Sequence, residues 1–457
     1  CADLYAALDR RTAASTIDAA YQRISGFPYL RIDRFLASFR GEADDQREFG
    51  VWIGRLQDLD RSARRIEIDN LTDVDLAGMG WEDRRDALFD RVVACADLLK
   101  TADFADASNH ERLHRNATAE DEYIALRRTA GLYPLTQVFV AWGVRRWHAQ
   151  EHKTFSTRPP ENGRTVRYAP DAASDVAAAS RIIRTAERDA LGIPVYSAQD
   201  RGTLFAAHAP FWEVQTRDDD DRIGAPTWQH DGAIGIDTDR PETYTHLSFT
   251  RSGKTVLTQL NFIVWFPARP KTDSLDIYGG RLDGLNYRVT VDADGNPLLY
   301  ETMHNCGCYY KAYPPESLRV RESIPYAEPP LVLEAPPIDP AWQTMVVSME
   351  SRTHYVRHLY PLPRGSAKDV VDYALHDYDR LRRLPLTSGG RRSMFDRYGL
   401  VPGIERLERH ILWPTGVLSP GGMRQWGKHA VAFVGKRHFD DPFYLDKMFK
   451  VAGGLPE

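Results

Sequence analysis

After Pro194 the apolar residues of this chain stop recurring every three or four positions and begin to alternate, and that change of period constrains the fold more than any other feature. A period near 3.6 marks helices with one buried face, whereas a period of two marks strands with one buried face. Before the change, apolar residues fall three or four apart within residues 5–8, 17–24, 35–39, 51–56 and 88–99, so the first 155 residues are expected to be helical. After it, short alternating runs punctuated by turns extend from Leu204 to Tyr310. The longest, residues 255–266, reads as a strand stopped by Pro267. Residues 286–291 and 297–301 flank Asp294 and Gly295, a strong hairpin signal.

The predicted architecture is α+β, a central and mostly antiparallel β-sheet flanked by N-terminal and C-terminal helical regions. Residues 1–160 form the helical N-terminal region, 161–350 the β-rich core, and 351–457 a helical and loop-rich C-terminal region. The first boundary falls at the proline- and glycine-rich break 158–163. One alanine-rich helix is expected over 171–191. An amphipathic helix carrying Tyr373, His376 and Tyr378 is expected over 367–384.

The second strand of the predicted hairpin runs into His304, Asn305, Cys306, Gly307 and Cys308, which hold two of the chain's four cysteines. Thiolate sulfur and imidazole nitrogen are ligands that zinc and copper prefer. Two cysteines one residue apart also form a small ring disulfide that is easily reduced. The plainest alternative is a structural bridge or a pair of inert buried thiols. On the metal reading, His230 or His246 completes a shell around His304, Cys306 and Cys308, leaving an open position for water or substrate. Glu213 and Asp231, also near strand ends, are the candidate acid and base.

Two further patterns resemble zinc-protease motifs. His110 to His114 matches H-E-x-x-H and His148 to His152 matches H-x-x-E-H. The first lacks the apolar positions that would bury such a helix and reads as a solvated linker; the second reads as the end of an amphipathic helix. Asp218 to Asp221 lacks the spacing of a calcium loop and reads as a solvated acidic loop. Cys95 lies on a buried helical stripe, where a free cysteine acts as a small core residue.

Net charge is -5, which provides no basic excess for holding nucleic acid. No run of eighteen apolar residues occurs, so no spanning helix is expected. Phosphate-loop, dinucleotide-binding and serine-hydrolase motifs are absent from the sequence.

The chain starts Cys1, Ala2, Asp3, and in that leading cysteine it resembles mature bacterial lipoproteins as a class. The resemblance implies lipid attachment at Cys1, a membrane partner through that anchor, and a place on the periplasmic face of the cell envelope. In an oxidising compartment Cys306 and Cys308 would be bridged unless a metal holds them. The expected function is a cell-envelope hydrolase or oxidoreductase that depends on zinc or copper. The alternatives are a non-catalytic envelope lipoprotein that binds a protein partner, with Cys306 and Cys308 bridged, and a thiol–disulfide enzyme.

Overall fold

A computed structural model of the chain describes residues 1–13, 17–43, 45–156, 164–273 and 276–451; the break expected at 158–163 lies outside them. The fold is α+β, with a large mixed sheet and helices at both ends.

The N-terminal unit is built on α1 (Ala2–Thr12), α2 (Gln46–Asp69) and α3 (Arg85–Asp103). Asp45 caps α2 by accepting from the Glu48 N–H at 2.7 Å. The apolar positions Phe49, Trp52, Ile53 and Leu56 turn inward, as their spacing predicts. They pack with a hairpin that the sequence did not announce, Gln22–Ile24 with Phe27–Ile32. The helix Ser108–Asn116 is no solvated linker: Leu113 is fully buried, the His110 ring stacks on Phe49 at 4.3 Å, and His114 stacks on Trp52 at 5.3 Å. Both imidazoles of that metal-like motif are therefore occupied in packing.

Cys95 sits on the buried side of α3 as expected, yet it is not free, because its sulfur is bonded to that of Cys1. A lipid thioether would need the same Cys1 sulfur, so the bridge to Cys95 and acylation at Cys1 exclude one another.

The core sheet has eleven strands: β1 (Thr165–Pro170), β2 (Phe211–Gln215), β3 (Glu242–Ser252), β4 (Thr255–Arg269), β5 (Gly280–Val291), β6 (Pro297–His304), β7 (Lys311–Tyr313), β8 (Leu331–Val332), β9 (Gln343–Met349), β10 (Val356–Pro363) and β11 (Val370–Asp377). They lie in the order β8, β7, β6, β5, β4, β3, β11, β1, β2, β9, β10. From β3 to β7 the chain is an antiparallel meander, which includes the predicted hairpin of β5 and β6. The pairs β7 with β8, β2 with β9, and β11 with both β1 and β3 are parallel.

Three expectations need correction. The strand that Pro267 was expected to stop continues to Arg269. Its pairing with β3 begins at Ile263, so beyond that residue one side has no ladder for the missing proline N–H to interrupt. Residues 370–377 form β11, not an amphipathic helix, because two strands lie on either side to pair with it and tertiary pairing overrides a weak helical period. The helix expected over 171–191 is confined to Val176–Thr185. Asp175 caps its start, and Asp189 folds the following segment back by accepting from the Leu191 and Ile193 N–H groups. The sheet also draws β10 and β11 from the 351–457 segment, where helix among the described residues is limited to short pieces.

Alternation along β4 divides the core. Phe262, Val264 and Phe266 pack on one face with Trp212, Tyr287 and the helix Ala198–His208. Ile263 and Trp265 pack on the other with Cys306, Met394 and Met423 from the C-terminal loops. Among the described residues no helix is long and apolar enough to cross a membrane.

Candidate functional site

Strand β6 ends at His304, and the chain then reverses tightly: the Gly307 N–H donates to the His304 carbonyl at 2.8 Å, and the His304 N–H to the Cys308 carbonyl at 3.1 Å. Gly307 has φ +90°, and a Cβ there would lie 2.6 Å from the Ala430 carbonyl oxygen, so both backbone angle and space demand glycine. Tyr309 has φ 57°, a left-handed conformation that costs a large side chain energy and concentrates at functional sites. C-terminal residues clamp the turn. The Arg424 Nε donates to the Cys306 carbonyl at 3.0 Å and its N–H to the Asn305 carbonyl at 2.8 Å.

Cys306 and Cys308 are both free and buried, so neither the structural bridge nor the easily reduced ring is formed in this state. The Cys308 N–H donates to the Cys306 sulfur at 3.4 Å. Burial pushes the Cys306 thiol up, but the Cys308 hydrogen bond and the Arg406 guanidinium outweigh it and hold the group below an ordinary thiol. Cys308 is raised by the neighbouring Cys306 and by burial. Two thiols that influence each other in this way titrate as a pair.

Cys308 forms part of the wall of a cavity of about 450 Å³ that lies between the turn and the helix α4 (Tyr133–Thr154). The cavity is strongly aromatic: the Trp147 ring of α4 lies 5.6 Å from Tyr309, whose ring lies 4.5 Å from Tyr355. The far end of α4 is tied down by Glu151, which accepts from Lys311 Nζ at 2.5 Å and from Arg357 Nη1 at 2.6 Å. Glu408 and His148 face the cavity beside the thiol, together with Glu328 and Arg437. Burial pushes the Glu408 carboxyl up to about 7 in spite of Arg406, Arg269 and Arg424 nearby. Burial, with Arg437, pushes His148 down to about 4 and leaves it neutral. Gly421 approaches Glu408 so closely that a Cβ would lie 1.9 Å from Oε1.

Behind the turn runs a buried row of alternating imidazoles and carboxylates. His304 Nδ1 lies 3.3 Å from Asp283 Oδ1, His354 Nδ1 lies 2.9 Å from Asp283 Oδ2, and His354 Nε2 lies 3.4 Å from Asp221 Oδ1. Burial resists charge on Asp283, but the two imidazoles and Arg406 hold its carboxyl well below the usual range. Burial likewise opposes a charged His354, yet its bonds to Asp221 and Asp283 raise it. His304 is lowered by burial and so offers a neutral ring, with Nδ1–H toward Asp283. Asp221, in the run that reads as a solvated acidic loop, is fully buried because it serves this row.

The other residues singled out in the sequence lie elsewhere. Glu213 is buried within the sheet and fully used there, accepting from Arg167, Ser348 and Tyr360 at 2.7 to 2.9 Å. His230 and Asp231 are exposed in the turn between Ala225–Trp228 and Ile234–Asp237, where Asp231 caps the Ala233 N–H. The His246 ring lies tilted against Trp426 at 4.1 Å and lines a separate cavity with Asp33; burial pushes it down to about 4. It lies on β3, three strand spacings from β6, or about 14 Å across the sheet. Thus the proposed zinc or copper shell is not assembled. His304 is turned to Asp283, and among the described residues no three His, Cys, Asp or Glu side chains converge in a way that fits a metal ion.

Sequence reasoning located the turn but missed Glu408, Tyr355 and His354. A glutamate flanked by Arg406 and Arg409 carries no pattern that separates it from a surface charge. His148 was noticed for its motif, although its place is on the helix that roofs the cleft. The chain matches no protein-family model, no curated protein and no solved structure.

Proposed function

We propose that the chain is a thiol–disulfide enzyme whose working pair is Cys306 and Cys308. The observation that carries this reading is a pair of free thiols, Cys308 in the wall of an aromatic cleft and Cys306 accepting from the Cys308 N–H, beside a carboxyl poised at about 7. Cys308 faces the cleft and is the attacking sulfur; Cys306 lies behind it and resolves. Transfer of the Cys308 proton to the Cys306 thiolate delivers the attacking thiolate to Cys308. That thiolate attacks a substrate disulfide, forming a mixed disulfide and expelling one substrate sulfur, which takes a proton from Glu408. Cys306 then gives its proton to the Glu408 carboxylate, attacks the Cys308 sulfur and expels the second substrate sulfur as a thiolate. Two electrons pass to the substrate, one S–S bond breaks and one forms, and Glu408 ends protonated as it began. The one thiol proton of the pair leaves on the first product, while the second leaves as a thiolate that water protonates.

The Cys1–Cys95 bridge supports an oxidising setting, in agreement with a cell-envelope address. The aromatic walls suit a disulfide flanked by apolar groups. The test is reaction of the whole chain with 5,5′-dithiobis(2-nitrobenzoate), followed by intact mass. Wild type is expected to release two thiols and close Cys306 to Cys308, C306S to stop as the mixed disulfide, and C308S to stay inert. A C308S protein that reacts like wild type overturns the reading, as does a wild type that never forms the bridge.

A further inference from the structure

Only Glu151 is buried among the 22 residues of α4, an unusual condition for so apolar a helix. One face covers the cleft with Val140, Val144 and Trp147. The outer side carries Leu135, Val138 and Trp142, with Phe139 beside them at the rim of the cavity, and these are 66%, 64%, 64% and 79% exposed. Exposed Ile411 of the helix Arg409–Leu412 borders the same cavity as Phe139 and extends the apolar surface. Such a contiguous patch marks an interaction surface.

Its charge indicates the occupant. The next turns of α4 carry the exposed cations Arg145, Arg146 and Lys153, and Arg146 lies over the Trp142 ring at 5.6 Å. The helix has a single acidic residue, Glu151, which is buried and bound to Lys311 and Arg357. A chain of net charge -5 thus gathers cations beside its most exposed apolar residues. Apolar and aromatic side chains on one helical face with Arg and Lys alongside are the chemistry of a helix that lies in a bilayer interface. We propose that this face of α4 docks on an anionic lipid surface. The inference does not depend on the thiol chemistry or on acylation, and it is tested on protein made without a lipid.

The test is flotation of that unacylated protein with phosphatidylcholine vesicles and with vesicles enriched in phosphatidylglycerol. Wild type should float with the anionic vesicles and much less with the neutral ones. The double variant F139D/W142D should lose about tenfold in partitioning, from burial of apolar area. R145E/R146E should lose the preference for phosphatidylglycerol. Because all four positions are solvent-facing, each variant should keep the wild-type melting temperature. Absence of flotation, equal flotation of wild type and F139D/W142D, or a lipid-free wild-type dimer that F139D/W142D dissolves would each overturn the proposal; so would a large loss of melting temperature, which would show the face packed within the protein.

Discussion

Lys311 Nζ donates to Glu151 Oε2 at 2.5 Å, joining the far end of the helix that roofs the cleft to the strand that leaves the Cys308 turn. The two partners are unequal. Glu151 also accepts from Arg357, whereas among the described residues Lys311 forms its one ion pair with Glu151 and donates otherwise to the Val356 carbonyl. Glu151→Gln should therefore cost about 3 kcal/mol by leaving a buried ammonium without its counter-charge, and Lys311→Met should cost less than half as much. Chemical denaturation of both variants checks the order. Burial also pushes Lys311 down to about 8, so its penalty is full below that pH and is relieved as pH rises toward the ordinary lysine value.

Glu408 makes a prediction with a defined sign. Its folded carboxyl is raised from 4.5 to about 7, so the folded protein keeps a proton that the unfolded chain releases. Stability from this group accordingly falls as pH rises from about 4.5 to about 7. Glu408→Gln should match wild type near pH 4 and exceed it at pH 8 by up to about 3 kcal/mol. Urea midpoints at the two pH values measure the difference. In alkylation by iodoacetamide, the inflection near pH 7 in the wild-type rate profile should disappear in the variant.

The row of Asp221, His354 and Asp283 has the opposite dependence on its two sides. His354 is raised, so its stabilisation is complete below the ordinary histidine value and is lost as pH rises through its folded value. Asp283 is depressed, so its contribution is present above the ordinary carboxylate value and lost as pH falls through its own. His354→Asn should destabilise by about 1–3 kcal/mol at pH 6 and by clearly less at pH 10. A loss that is equal at both pH values would contradict an imidazolium between the two carboxylates.

Cys95→Ser should remove about 4–5 kcal/mol, the loop-closure contribution expected for a bridge across 94 residues. Reductant should lower the wild-type denaturation midpoint by a similar amount and leave the variant unchanged. The thiol count with a chromogenic disulfide should rise by two when wild type is reduced under denaturing conditions.

Where local patterning and long-range pairing agreed, the sequence was legible. The runs at 286–291 and 297–301 became β5 and β6, and their direction delivered His304, Cys306 and Cys308 to a buried turn. The partners of that turn were not legible, since Glu408 and His354 reach it from segments about 50 to 100 residues away and no local period records such a meeting. For the same reason His246 looked like a companion of His304, although two strands separate β3 from β6. The partner of Cys1 was hidden too, because spacing alone does not reveal which cysteines pair.

The position of β11 governs the order in which the chain can be completed. Val370–Asp377 lies between strands that are made much earlier, Glu242–Ser252 and Thr165–Pro170. A nascent polypeptide that ends before Val370 holds two part-sheets, each with an unsatisfied edge where β11 belongs. Those edges are templates for wrong pairing until the final strand leaves the ribosome. Assembly of this sheet is thus completed late, and chaperones have their greatest opportunity in the interval before residues 370–377 emerge.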